Sequence, residues 1–191
     1  MNQTQLLLAQ LAAHVSSDAI EEQSRTTART FVAGTAEPFR RTTLKGHVTG
    51  SAMVLDHQGR ALLLFHARLE LWVQPGGHVE QDDVDVAAAA LREAREETGL
   101  PDLSLDCDDS GRPLLLDIDV HPIPANSRRN EPAHWHHDLC FLARTRSPGN
   151  TRIDPDESRS FRWVAAADLG TVPIDVATRR RLIKAFARVG R

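Results

Sequence analysis

Along the chain, runs of apolar residues at helical spacing alternate with runs at strand spacing. Residues 2 to 15 and 17 to 33 have the helical period, the second opened by Ser17 or Asp18 as cap with Glu21 in its first turn. They form an expected N-terminal helical extension, residues 1 to 44. From Gly46 the pattern turns to strands, "HVTGSAMVLD" and "ALLLFHA", separated by "HQGR", so a hairpin turning at Gly59 is predicted. Beyond "LWVQPGG", the residues Ala87, Ala90, Leu91 and Ala94 return to helical spacing, with Asp85 as N-cap and Gly99 as a left-handed stop. "PLLLDIDVHPI" and "HWHHDLCFLART" read as strands joined by the polar loop "PANSRRNEPA". A short strand is expected at 160 to 164 around Trp163, then a turn of helix near Asp168. Last, "DVATRRRLIKAFARV" is an amphipathic helix with Val176, Leu182, Ile183, Phe186 and Val189 as its expected buried side. This order predicts an α/β (α+β) fold, a mixed sheet between helices, spanning residues 45 to 191.

Composition narrows the classes. A chain of 191 residues and 21.1 kDa suits one hydrophobic core and leaves little room for two. A net charge of -3 gives no basic footprint, so no nucleic-acid partner is expected. Cys107 and Cys140 are too few for a disulfide framework or a four-ligand zinc site, and a reducing cytoplasm is the expected compartment. The apolar stretch Leu6 to Val15 is broken by Gln10 and His14 and follows no basic cluster, which argues against a signal peptide and against a membrane span.

The densest chemistry lies in "QPGGHVEQDDVDVAAAALREAREETGL", residues 74 to 100. On a helix Glu93, Glu96 and Glu97 stand at i, i+3 and i+4, so their carboxylates converge on one patch. Such like-charge pairs cost roughly 0.2–0.5 kcal/mol each unless a cation sits among them. Hard divalent ions prefer this all-oxygen surrounding. Arg92 is placed to hold a glutamate in one rotamer or to meet an anion, and Gly76 and Gly77 permit backbone turns and close approach to a ligand. A solvated acidic face is the plain alternative for the glutamates taken alone.

The whole segment resembles the signature box of the Nudix hydrolases, G-x5-E-x7-R-E-U-x-E-E-x-G-U. Gly77 matches the first glycine, Arg92 and Glu93 the R-E pair, Ala94 the aliphatic position, Glu96 and Glu97 the E-E pair, and Gly99 with Leu100 the end. The position of the first box glutamate falls on Asp83, and eight residues separate it from Arg92 where the pattern has seven. The extra residue is placed in "DDVDV", ahead of the Asp85 cap, which leaves the role of Asp83 open. The resemblance implies an α/β/α sandwich with a mixed sheet and Mg²⁺- or Mn²⁺-dependent hydrolysis of a nucleoside diphosphate linked to another moiety. It further implies Glu93 and Glu97 as metal ligands assisted by Glu96, a carbonyl ligand at Gly77 or Gly76, and Arg92 as the orienting residue. Glu157, six residues before Trp163, takes a recurrent position for the general base or an extra ligand. A homodimer is the family's habit.

Strand alternation groups His134, His136, Asp138 and Cys140 on one face, and Asp117, Asp119 and His121 on one face of the preceding strand. If the two strands pair, these groups are candidates for contact with substrate phosphates or for an additional metal site, against a plain solvent-facing sheet. Arg128, in the polar loop, is a further candidate for phosphate contact. Two other activities are compatible with the fold. An isopentenyl diphosphate isomerase also uses histidines around a metal, but that branch usually erodes the R-E-x-x-E-E box retained here. A sensor without turnover typically loses the box glutamates.

Overall fold

Helix α1 (Gln3–Ala13) begins at Asn2, whose side chain accepts the Gln5 N–H at 2.8 Å while Gln5 reaches back to the Asn2 N–H. In the computed structural model, residues 2–66, 70–126, 131–153, 155 and 158–190 are described. Helix α2 (Ala19–Gly34) is capped by Asp18 and packs with α1.

Strand β1 (Gly46–Asp56) is buried along its whole length. It runs parallel to β7 (His134–Thr145), in register from Gly46 opposite Trp135 to Asp56 opposite Thr145. The predicted hairpin is present: Gly59 turns the chain at φ 76°, and β2 (Ala61–His66) returns antiparallel to β1. Two short strands that the periodicity did not signal, β3 (Leu71–Val73) and β4 (Gly76–His78), pair with β2 and β1. The box helix α3 (Val86–Thr98) starts at Asp85, whose carboxylate accepts the Ala88 N–H, and stops at Gly99 with φ 62°. A two-residue strand β5 (Ser104–Leu105) and the longer β6 (Leu115–Ile123) both lie antiparallel to β7, and β8 (Ser158–Val164) pairs with β2.

The resulting mixed sheet is covered on both faces. Val48, Ile118, Leu139 and Phe141 pack under α1, α2 and α3, whereas Met53, Leu55, Leu63 and Leu142 pack under α4 (Val176–Phe186). Gly50 lets α3 sit directly on β1, since a side chain there would run into the Val86 carbonyl.

The orientation of α4 differs from its apolar pattern. Leu182 is buried and Phe186 partly so, but Val176, Ile183 and Val189 are 66%, 54% and 44% exposed. Thr178, Arg180, Arg181 and Ala185 face inward instead. The cause is the sheet beneath. Asp117 of β6 accepts hydrogen bonds from Arg180 at 2.7 and 3.0 Å and from Arg181 at 3.2 Å, and Arg181 lies 3.0 Å from Asp138 of β7. Lys184 joins Asp117 to the fully buried Glu21 of α2. Buried charges require partners, and here the pairing of cations to carboxylates decides which side of α4 turns inward. Among the described residues, no helix is long and apolar enough to cross a membrane.

Candidate active site

Alternation along β4 fixes the site. Gly77 points at α3, where a Cβ would lie 2.5 Å from the Glu93 carboxyl carbon, so only glycine lets that carboxylate rest against the strand. A side chain on Gly76 would collide with Ser51 on β1. The two glycines therefore allow a close fit of strand to strand and of strand to helix.

Arg92 organises the carboxylates. Its guanidinium donates to Asp83 at 2.9 and 3.2 Å, to Glu93 at 3.1 Å, to Glu96 at 3.0 Å and to the His78 carbonyl at 2.9 Å. Asp83 also accepts the Glu80 N–H at 2.8 Å, which closes the lengthened loop on itself. Burial pushes the Asp83 carboxyl up, but the bonds from Arg92 and Glu80 outweigh it and hold the group below its ordinary range. Asp83 thus anchors the arginine that aims Glu93 and Glu96, and the extra loop residue is absorbed before the Asp85 cap. The Glu93 side chain is only 16% exposed and that of Glu96 59%. Glu97, half-buried, follows on the same helix one turn from Glu93.

The second expected group is assembled, and in a different place. β6 and β7 do pair, setting Asp119 opposite Asp138 and His121 opposite His136. Asp138, expected as a substrate contact, is 5% exposed and accepts from Thr49 at 2.9 Å and Ser51 at 2.8 Å, with Arg181 beside it. That engagement makes it part of the packing between sheet and α4. His134 and His136 instead gather with His47, His78 and His121, with ring centroids 4.8 to 5.6 Å apart between neighbours. Burial, reinforced by the neighbouring imidazoles, pushes His47 down to about 3 and His136 down to about 2. His78 faces these rings because Gly77 faces α3, so imidazoles and glutamates occupy opposite faces of β4.

His47 was not singled out from sequence. The available signal was its phase, for His47, Thr49 and Ser51 are alternate polar positions in the first half of a strand that is otherwise apolar up to Asp56. Its partners on β7 lie about 90 residues on, and no local pattern brings them together. Arg128 and Glu157 fall outside the described residues.

The family model described as NUDIX domain matches residues 45–186. Among solved structures, a NUDIX-family hydrolase from Clostridium perfringens is similar at 26% identity and TM-score 0.55, covering 74% of this chain and 96% of that one. A MutT NUDIX hydrolase from Burkholderia pseudomallei is similar at 27% identity and TM-score 0.52, covering 73% and 98%. The NUDIX domain of Shewanella oneidensis NrtR complexed with ADP ribose shares the fold at 18% identity and TM-score 0.53, covering 84% and 97%. None of the curated proteins compared with the chain matches it. With most of its length matched and the box helix assembled as described, the chain belongs to the NUDIX family and is a pyrophosphohydrolase of that family, whose hydrolases generally use divalent metals.

Proposed function

We propose that the protein cleaves the pyrophosphate bond of a nucleoside diphosphate linked to another moiety, in a reaction dependent on Mg²⁺ or Mn²⁺. The observation that carries this reading is the Arg92 fork, which holds Asp83, Glu93 and Glu96 at once while Glu93 lies against Gly77. The donor set fits a hard cation: it is made of carboxylate oxygens, to which the Gly77 carbonyl is proposed to add, and the imidazoles stand on the opposite face of β4. Gly77, Glu93, Glu96 and Glu97 would hold the ion. When bound, it would neutralise charge that builds on the phosphoryl oxygens as water attacks.

The chain's own residues do the positioning. Arg92 spends its donors on the carboxylates and the His78 carbonyl, so it keeps the glutamate oxygens fixed instead of meeting the substrate itself. Such preorganisation removes the reorientation that free carboxylates would need in the transition state. Glu157 is the proposed base that takes the proton of the attacking water, and Arg128 a proposed phosphate contact. Since His134 and His136 stand on the other face of β4, they are assigned away from the diphosphate.

The test is a panel of nucleoside triphosphates, ADP-ribose, dinucleoside polyphosphates, coenzyme A and isopentenyl diphosphate, each with Mg²⁺ or Mn²⁺. Release of a nucleoside monophosphate or of pyrophosphate in a metal-dependent manner is expected. Isomerisation of isopentenyl diphosphate without hydrolysis of any member would overturn the reading.

A further inference from the structure

The histidines on the far face of β4 pose their own problem. His47 is 1% exposed, and among the described residues neither of its ring nitrogens has a hydrogen-bond partner. A buried imidazole left so needs a reason, because unsatisfied polar atoms are rare in the interiors of folded proteins. Around it, the ligand atoms of His47, His134 and His136 lie within 4.8 Å of one another. His134 Nε2 and His136 Nε2 are 3.2 Å apart. Two imidazole nitrogens on one tetrahedral zinc ion, at about 2.0–2.1 Å each, stand about 3.3 Å from each other. The closest pair is therefore already at the spacing a shared ion imposes, and modest ring rotations bring in the third.

The tautomer of His134 also suits a ligand. Its Nδ1 lies 2.9 Å from the Pro132 carbonyl, which can only accept, so the proton sits on Nδ1 and the Nε2 lone pair points into the cluster. Nearby charge is balanced, with Arg41 paired to Glu131 beside His134 and Asp119 bonded to His121 at 2.9 Å. Among the described residues no carboxylate belongs to the ligand group, so a hard ion such as Mg²⁺ is disfavoured and a borderline ion favoured.

We propose that His47, His134 and His136 form a binding site for a divalent transition metal of the zinc class, distinct from the carboxylate site on α3. Three strand-borne imidazoles leave a fourth position for water or an anionic group. The site stands on geometry alone and does not depend on which pyrophosphate is cleaved.

The experiment uses full-length protein without a polyhistidine tag, stripped with a chelator and dialysed into metal-free buffer. Titration with Co²⁺ is expected to give one bound equivalent with the visible absorption of a four-coordinate ion, displaced by Zn²⁺ and unmoved by excess Mg²⁺. X-ray absorption on the zinc-loaded wild type should show about three nitrogen neighbours at about 2.0 Å, a reading that needs no variant. His134→Ala and His136→Ala should each weaken Co²⁺ binding at least tenfold with circular dichroism unchanged, while Glu97→Gln leaves it intact. The proposal fails if the stripped wild type shows no four-coordinate Co²⁺ absorption, or if that absorption survives the histidine changes and is lost in Glu97→Gln. The first outcome means that His134 and His136 merely share a hydrogen bond; the second places the ion among the glutamates.

Discussion

A missing side chain at residue 77 and three carboxylates within about one helical turn make up the proposed hydrolytic site at the residue scale. Gly77→Ala puts a methyl group 2.5 Å from the Glu93 carboxyl carbon, and displacing that group is expected to lower kcat/KM by about 100-fold. Steady-state rates against metal concentration check it, the apparent metal affinity falling with the rate. Glu97→Gln should abolish Mg²⁺-dependent turnover while leaving the thermal midpoint unchanged; a variant with full rate removes Glu97 from the ligand set. Arg92→Lys keeps the charge but cannot donate to Asp83, Glu93 and Glu96 together, so its activity should fall nearly as far as that of Arg92→Ala. This part of the molecule was legible in the sequence because it is local, with helix period, cap and glycine stop all falling inside residues 74 to 100. The imidazole group was half legible, since alternation on β7 gives His134 and His136, but His47 joins them only through pairing with a distant strand.

At the scale of elements, α4 is where apolar periodicity misleads. Its valine and isoleucine positions mark a plausible stripe, yet the helix turns Arg180 and Arg181 toward the sheet because Asp117 and Asp138 are there to receive them. Helical periodicity assigns every arginine to the solvent side, and only the partner strand reveals otherwise. The two faces should respond differently to truncation. Leu182→Ala is expected to cost about 2–5 kcal/mol, and Ile183→Ala at an exposed position to remain within about 0.5 kcal/mol, by urea unfolding. Equal losses would mean that α4 sits rotated from the orientation described. By contrast α3, whose inward side is mostly alanine over Gly50, has matching pattern and packing, so its orientation followed directly from the sequence.

Across the whole molecule, Glu21 links the N-terminal helices to the sheet and α4. It accepts from the Ser17 N–H at 2.6 Å, lies 2.7 Å from His14 Nε2 and receives Lys184, which also reaches Asp117. Burial raises its carboxyl, but the bonds with His14, Lys184 and Ser17 prevail and hold it well below the ordinary 4.5. A group depressed in the folded state binds fewer protons there than in the unfolded chain, so its contribution is complete above pH 4.5 and is lost as the pH falls further. Glu21→Gln should therefore cost about 3–5 kcal/mol at pH 7, with the gap to wild type narrowing below pH 4.5. Urea midpoints measured from pH 7 to 3 check this, and a gap that stays constant would show that Glu21 titrates alike in both states.

The parallel pairing of β1 with β7 has a kinetic side. Thr49 meets Asp138 across 89 residues, and that chain length must be gathered before the central ladder can reward it. The hairpin and the box helix can form early from neighbours in sequence, whereas His47 finds His136 only when the long stretch between β1 and β7 has closed. An ion that requires both strands would then bind late, and the appearance of its absorption during refolding would time the closure of the sheet.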